Sequence, residues 1–213
     1  MPVENGIGHS QATVSKQDGL DKILRQHIAT CKIILNKHQW CSQEYHYFDI
    51  NAGCGFNEEE GCPGSPIVFL DVAHEHGIKY QAAFIEKDID NAAALSDSIF
   101  ESGRNHNTVF PSDNRETLPS LIENTLPRNA YGMIYHDPNG VPDFELLSQV
   151  FNNPRTKYLD VLIRCSASSI KRSEYISKQK LNDYISSVNK KYWIVQELDS
   201  SDKWQWTFLL GMN

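Results

Sequence analysis

The chain has 213 residues, 40% of them hydrophobic, which suits one domain of ordinary size with a single core. A formal net charge of −7 argues against a free-standing basic nucleic-acid binder, and no apolar run approaches the ~20 residues that span a bilayer. Five cysteines without a framework spacing fit reduced thiols, and Met1 to Gln11 lacks the charged start and apolar centre of a signal peptide, so the expectation is a soluble cytoplasmic protein.

Along the chain, Leu20, Ile23, Leu24, Ile28, Ile33, Ile34 and Leu35 recur at roughly helical intervals, which predicts a helix over Asp18 to His38 after a loose polar start. "YHYFDI" (Tyr45 to Ile50) reads as a strand, and a glycine-rich turn follows it. "SPIVFLDVAHEHG" then reads as a helix capped by Ser65, with Pro66 in its first turn and Gly77 past its end. Tyr80 to Asp88 is a second strand, Asp90 to Gly103 a helix, and Asn107 to Asp113 a third strand. A helix through Leu118, Leu121, Ile122 and Leu126 leads to a fourth strand in "YGMIYHDPNG" (Tyr131 to Gly140), stopped by Pro138 and Gly140. Asp143 to Phe151 reads as a helix and Tyr158 to Ala167 as a fifth strand. A helix over about Ser173 to Val188 follows, then strands over Tyr192 to Leu198 and Trp204 to Gly211. The five residues Asp199 to Lys203 leave room only for a hairpin turn between these last two.

Near-continuous apolar strands alternating with helices predict an α/β sandwich around a mostly parallel seven-stranded sheet that ends in an antiparallel hairpin. In such sheets ligands bind at the carboxyl ends of the strands. The distinctive ends all fall on that rim: Asp49 to Gly53, Glu86 to Asp88, Asp113-Asn114, and Asp137 to Gly140.

The residues at the rim limit the ligand. A P-loop needs Lys and Ser or Thr directly after its glycines, and "GCGFNEEEG" has neither. A nicotinamide dinucleotide fold runs its glycines straight into a helix, whereas here Glu58, Glu59 and Glu60 stand where a pyrophosphate would sit. Carboxylates accept hydrogen bonds from an amine and from ribose hydroxyls, so a ligand carrying these groups and no phosphate fits better. Cys54, Cys62, His74 and His76 lack a common structural-zinc spacing, and no metal is assigned.

The rim residues resemble a known family. Asp49 to Gly55 looks like the first motif of class I S-adenosylmethionine-dependent methyltransferases, Glu86 like their ribose-binding acid, and Asp113 like the acid beside the adenine. "DPNG" looks like their fourth motif, and "WQWTFLLGMN" is similar to the last strand of that Rossmann-like fold. The boundaries are then an N-terminal extension and helix over 1–43 and a methyltransferase-like domain over 44–213. More narrowly, "YFDINAGCG", "GSPIVFL", "FIEKD", "SDN" and "HDPNG" resemble the three-Cys-motif partner proteins of bacteria and phages, which points to a bacterial or phage-infected cytoplasm. That group also inserts a segment between the glycines and a Gly-Ser-Pro helix start, so Phe56 to Gly64 is expected to form an extra loop over the site. Its Glu run is a ligand set or simply a solvated surface.

The resemblance implies S-adenosylmethionine as cofactor. Asp49, Asn51, Ala52, Gly53 and Gly55 would hold its amino-acid portion, Glu86 its ribose, and Asp113 or Asn114 its adenine, with Lys87 also among the cofactor-binding residues. Glu86 also reads as a surface residue at a strand end, and Asp113 and Asn114 as ordinary turn chemistry. In members that methylate an exocyclic amine, the fourth-motif carboxylate and the next carbonyl accept the two N–H hydrogens. That role falls on Asp137 and Pro138, where alignment supplies ~7 to 11 kcal/mol in well-oriented cases. Asn139-Gly140 replaces the second proline and the aromatic on which a flipped base stacks, a contact of ~1 to 3 kcal/mol. His136 is a general base or a hydrogen-bonded structural residue, and Arg164 reaches the substrate or pairs with a rim carboxylate. The leading acceptor is adenine N6 of DNA or RNA. A catalytically silent subunit working with a protein partner, or a methyltransferase for small molecules or proteins, are the alternatives. The nearest basic stretch is "SIKRSEYISKQK", Ser169 to Lys180, a substrate contact or a solvated helix face.

Overall fold

The computed structural model describes residues 12–58, 61–103, 107–178, 180–196 and 206–213. Strand β1 (Tyr45–Asp49) is buried along its whole length, its polar His46 and Asp49 included, as expected of a central strand covered on both faces. It lies at the centre of a seven-stranded sheet, paired in parallel with β4 (Tyr80–Glu86) on one side and β6 (Tyr131–His136) on the other. Beyond β4 lies β5 (Asn107–Pro111), and beyond β6 lies β7 (Leu159–Ser166), both parallel to their neighbours. The chain then returns antiparallel through β9 (Trp206–Met212), which pairs with both β7 and the edge strand β8 (Tyr192–Val195). The order β5-β4-β1-β6-β7-β9-β8 reverses direction between β1 and β6, which opens a crevice at their carboxyl ends.

Helices cover both faces. On one, α1 (Ala12–Lys37), α2 (Ser65–His76) and α3 (Ile89–Glu101) bury Leu20, Leu24, Ile28, Phe69 and Leu95 against Tyr45, Tyr47, Phe84 and Tyr135. Tyr47 and Phe69 stack with ring centroids 3.9 Å apart. On the other face, α4 (Asn114–Asn124), α5 (Phe144–Phe151), α6 (Ala167–Ser177) and α7 (Leu181–Ser187) close over Phe48, Ile134 and Ile163. Each such side chain contributes ~1.5 to 3 kcal/mol on burial. No described helix is long and apolar enough to cross a membrane.

The expected elements are present with shifted ends, and three differences have local causes. Gly64, rather than Ser65, caps α2, because its N–H bonds the Gly55 carbonyl at 2.7 Å and draws the chain base together, leaving Ser65 inside the helix. Between these two glycines the extra loop forms a small hairpin of β2 (Phe56–Asn57) and β3 (Cys62–Pro63). Glu58 is exposed on it; Glu59 and Glu60 lie outside the described residues. The single helix expected over Ser173 to Val188 is two helices, broken where Lys178 turns left-handed at φ 61° and where Glu174 and Asp183 accept the amides of Leu181 and Lys180. The turn Asp199 to Lys203 and Trp204 lie outside the described residues.

Candidate functional site

Asp49 ends β1 fully buried. Its Oδ1 accepts from the Asn51 amide at 3.2 Å, and its Oδ2 has no hydrogen-bond partner. Burial raises its pKa to about 7, against the lowering effect of hydrogen bonds from Ser65 and Asn51. Such a carboxyl is poised to take a positive partner. The chain then turns through Gly53 (φ 66°) and Gly55 (φ 86°), where a side chain at 55 would stand 2.8 Å from Leu95 Cδ1. Ala52 N–H bonds the Ile85 carbonyl at 3.1 Å, holding this turn against the end of β4.

Glu86 does more than stand at the rim. Its Oε2 accepts the Gly53 amide at 2.8 Å and its Oε1 the Asp88 amide at 2.9 Å, so one carboxylate fixes the glycine turn and the start of α3. Lys87 pairs with Asp113 at 2.8 Å; Asp113 also caps α4 by accepting the Arg115 amide. Asn114 Nδ2 donates to the Ile50 carbonyl at 2.8 Å. Asn51, Glu86, Lys87, Ser112, Asp113 and Asn114 border a cleft of about 210 Å³ at the ends of β1, β4 and β5.

The fourth-strand motif is organised separately, outside that cleft. Asp137 Oδ2 accepts from Lys16 Nζ at 2.8 Å and from Tyr135 Oη at 3.2 Å, and Oδ1 accepts from Arg164 Nη1 at 3.1 Å. Burial alone would raise its pKa, but the charges of Lys16 and Arg164 outweigh that and hold it below the ordinary value. Asp137 is therefore ionised at neutral pH with both oxygens engaged. Arg164 pairs with a rim carboxylate, and its Nε remains buried without a partner. Pro138 is half-buried and Asn139 exposed in the turn that follows.

His136 faces away from Asp137. Its Nδ1 lies 2.6 Å from Asn51 Oδ1, and its Nε2 accepts the Asp143 amide at 2.9 Å, which makes it a neutral imidazole protonated at Nδ1. Burial lowers its pKa to about 4. It ties the β1 turn to the start of α5.

Lys16 is the site residue that sequence reasoning did not find. It lies 121 positions from Asp137, on a helix whose apolar pattern reports only its core face, so no spacing signals the pair. Arg164 did carry a signal, being a charge inside an apolar strand. A groove of about 860 Å³ between α1 and the β8–β9 hairpin lies away from the rim, around His27 and Asp160. Among the described residues no group of three or more His, Cys, Asp or Glu could hold a metal ion.

No protein-family profile and no curated protein sequence matches the chain. Solved structures do match it. TYW2 of M. jannaschii, in complex with AdoMet, superposes with a TM-score of 0.53 at 15% identity, over 96% of this chain and 76% of that one. An rRNA methylase from Streptococcus thermophilus gives 0.50 at 8% identity, over 97% and 100%. The bifunctional kinase-methyltransferase WbdD gives 0.60 at 8% identity, over 92% of this chain and 39% of that one. The fold is that of class I methyltransferases. The turn from Asp49 to Gly55 leaves β1 beside the switch point of the sheet, and the cleft adjoins it at the ends of β4 and β5.

Proposed function

We propose that the chain is an S-adenosylmethionine-dependent methyltransferase acting on an amine, with adenine N6 of nucleic acid as the leading acceptor. One observation carries the reading: a buried aspartate with an unpartnered oxygen lies beside a glycine turn at the switch point of a methyltransferase fold. An ammonium group would satisfy Asp49 Oδ2. Glu86 keeps free lone pairs for ribose hydroxyls, and Asn51, Asp113 and Asn114 offer polar groups around the adjoining cleft to an adenine. The cofactor, when bound, supplies an electrophilic methyl group on its sulfonium.

In this reading Asp137 stays ionised and accepts a hydrogen of the acceptor amine, while Arg164 keeps its charge compensated. Lys16 must withdraw first, because it occupies the same oxygen as Tyr135. We carry the nucleic-acid acceptor over from the resemblance of Asp137 to Gly140 to the fourth motif of methyltransferases that act on an exocyclic amine.

A second reading has its own support. Both Asp137 oxygens are engaged and Asn139-Gly140 offers no stacking ring, which suits a methyltransferase-fold subunit that binds cofactor and works through a partner protein.

Calorimetric titration with S-adenosylmethionine and S-adenosylhomocysteine tests the cofactor; micromolar binding is expected, at least tenfold weaker in Glu86→Gln. Radiolabelled-methyl transfer to DNA, RNA and protein tests the acceptor. Asp137→Ala should abolish transfer and leave cofactor affinity within a few fold. Turnover retained in that variant removes Asp137 from the chemistry, and cofactor binding with no transfer to any acceptor favours the second reading.

A further inference from the structure

Helix α6 begins where β7 ends, three residues beyond Arg164, whose guanidinium holds Asp137. Its surface therefore borders the rim. The helix has two unlike faces. Inward, Ile170 is buried, Ser173 and Ser177 bond the Tyr184 hydroxyl, and Glu174 caps Leu181. Outward, at helical spacing, stand Lys171, Arg172, Tyr175 and Ile176, followed by Lys178 and Lys180 in the turn.

The charges on the two faces are sorted. Glu174 and Asp183 are both turned to backbone amides of the α6–α7 turn. Among the described residues no carboxylate pairs with Lys171, Arg172, Lys178 or Lys180. In a chain of net charge −7 this concentrates uncompensated positive charge beside the site. At its centre Tyr175 is 78% exposed and Ile176 73% exposed, and the Lys178 ammonium lies 4.8 Å from the Tyr175 ring centroid. The ring and the aliphatic side chain thus stand open to solvent in the middle of the basic face.

We infer that the outer face of α6 and the turn after it form a docking surface for single-stranded nucleic acid, with the four cations on phosphates and Tyr175 under an unpaired base. This deepens the methyl-transfer reading and rests on it for the acceptor. An unpaired strand is favoured over a duplex because an exposed ring on a convex helix can stack only on a base already out of its helix.

The test is fluorescence anisotropy with labelled oligo(dT) and oligo(A) RNA, using the full chain, over a salt series, with S-adenosylmethionine titrated in parallel. Four phosphate contacts give a slope of about −2.8 in log affinity against log salt, an affinity loss of about fiftyfold between about 50 and 200 mM. Lys171→Gln with Arg172→Gln should halve the slope, to a loss of about sevenfold. Tyr175→Ala should weaken binding about tenfold with the slope unchanged. A charge-matched control, Lys79→Gln with Lys157→Gln at the opposite ends of the strands, should change neither. Equal slopes in the α6 variant and the control, or no oligonucleotide binding at low salt with cofactor binding intact, overturn the surface and leave the methyltransferase reading standing. Competition by polyglutamate as effective as by unlabelled strand also overturns it, in favour of an acidic protein. Salt-dependent strand binding lost in the α6 variant supports the surface even where no cofactor binds, and only the methyl-transfer reading then fails.

Discussion

Asp49 lies at full burial with one carboxylate oxygen bonded to the Asn51 amide and the other to nothing. Its folded pKa of about 7 lies above the ordinary 3.8, so between those values the folded chain holds a proton that the unfolded chain has released. Stability from this group is thus full below pH 4, falls as pH rises to 7, and levels off above. The whole interval corresponds to ~4 kcal/mol. Asp49→Asn should therefore stabilise the protein by ~2 to 4 kcal/mol at pH 8 and by little at pH 4, as denaturant unfolding at the two pH values would record. A ligand ammonium reverses the preference by favouring the carboxylate. Cofactor affinity should rise with pH below 7, approaching tenfold per pH unit, and flatten above it; calorimetry across pH 5.5 to 8.5 checks this. The rim acids were legible because strand ends in a parallel sheet converge on one edge, whatever lies between them in sequence. Their partners were not, since hydrogen bonds such as Gly53 N–H to Glu86 and Lys16 to Asp137 depend on how the turns and helices pack above that edge.

At the scale of elements, β1 and β6 approach so closely that an added Cβ at Gly132 would lie 1.8 Å from the His46 carbonyl oxygen, with the backbone at φ 157°. Both obstacles are backbone, so no rotamer change relieves them. Gly132→Ala should cost ~3 kcal/mol or more, with lower yield and a thermal midpoint many degrees below the parent. Gly140→Ala, where the added atom meets nothing within 4 Å, is the control and should change little. The strands were readable because burial on both faces leaves continuous apolar runs, and α2 because Pro66 and Gly77 mark its ends. Gly64 as a cap, and the break at Lys178, were not readable. The first depends on a contact with Gly55 across a loop, and the second puts a lysine in the left-handed region that sequence patterns reserve for glycine and asparagine.

For the molecule as a whole, the open matter is where the folding unit begins. A boundary at 43/44 follows the motifs, yet Leu20, Leu24, Ile28, Cys31 and Leu35 of α1 all lie in the core of the first face. At ~1.5 to 3 kcal/mol for each large side chain, removing the helix forfeits a sum comparable with the ~5 to 15 kcal/mol net stability of an entire domain. It would also uncover Tyr45 and Phe69 and strip Lys16 from Asp137, leaving a buried carboxylate compensated by Arg164 alone. A fragment of residues 44–213 should therefore fail to unfold cooperatively and should bind a hydrophobic dye, and added peptide 1–43 should restore a cooperative transition. A fragment that unfolds with the sharp transition of the full chain would make α1 an appended extension. Lys16 would then be free to leave Asp137 as a hinged group, without disturbing the core beneath it.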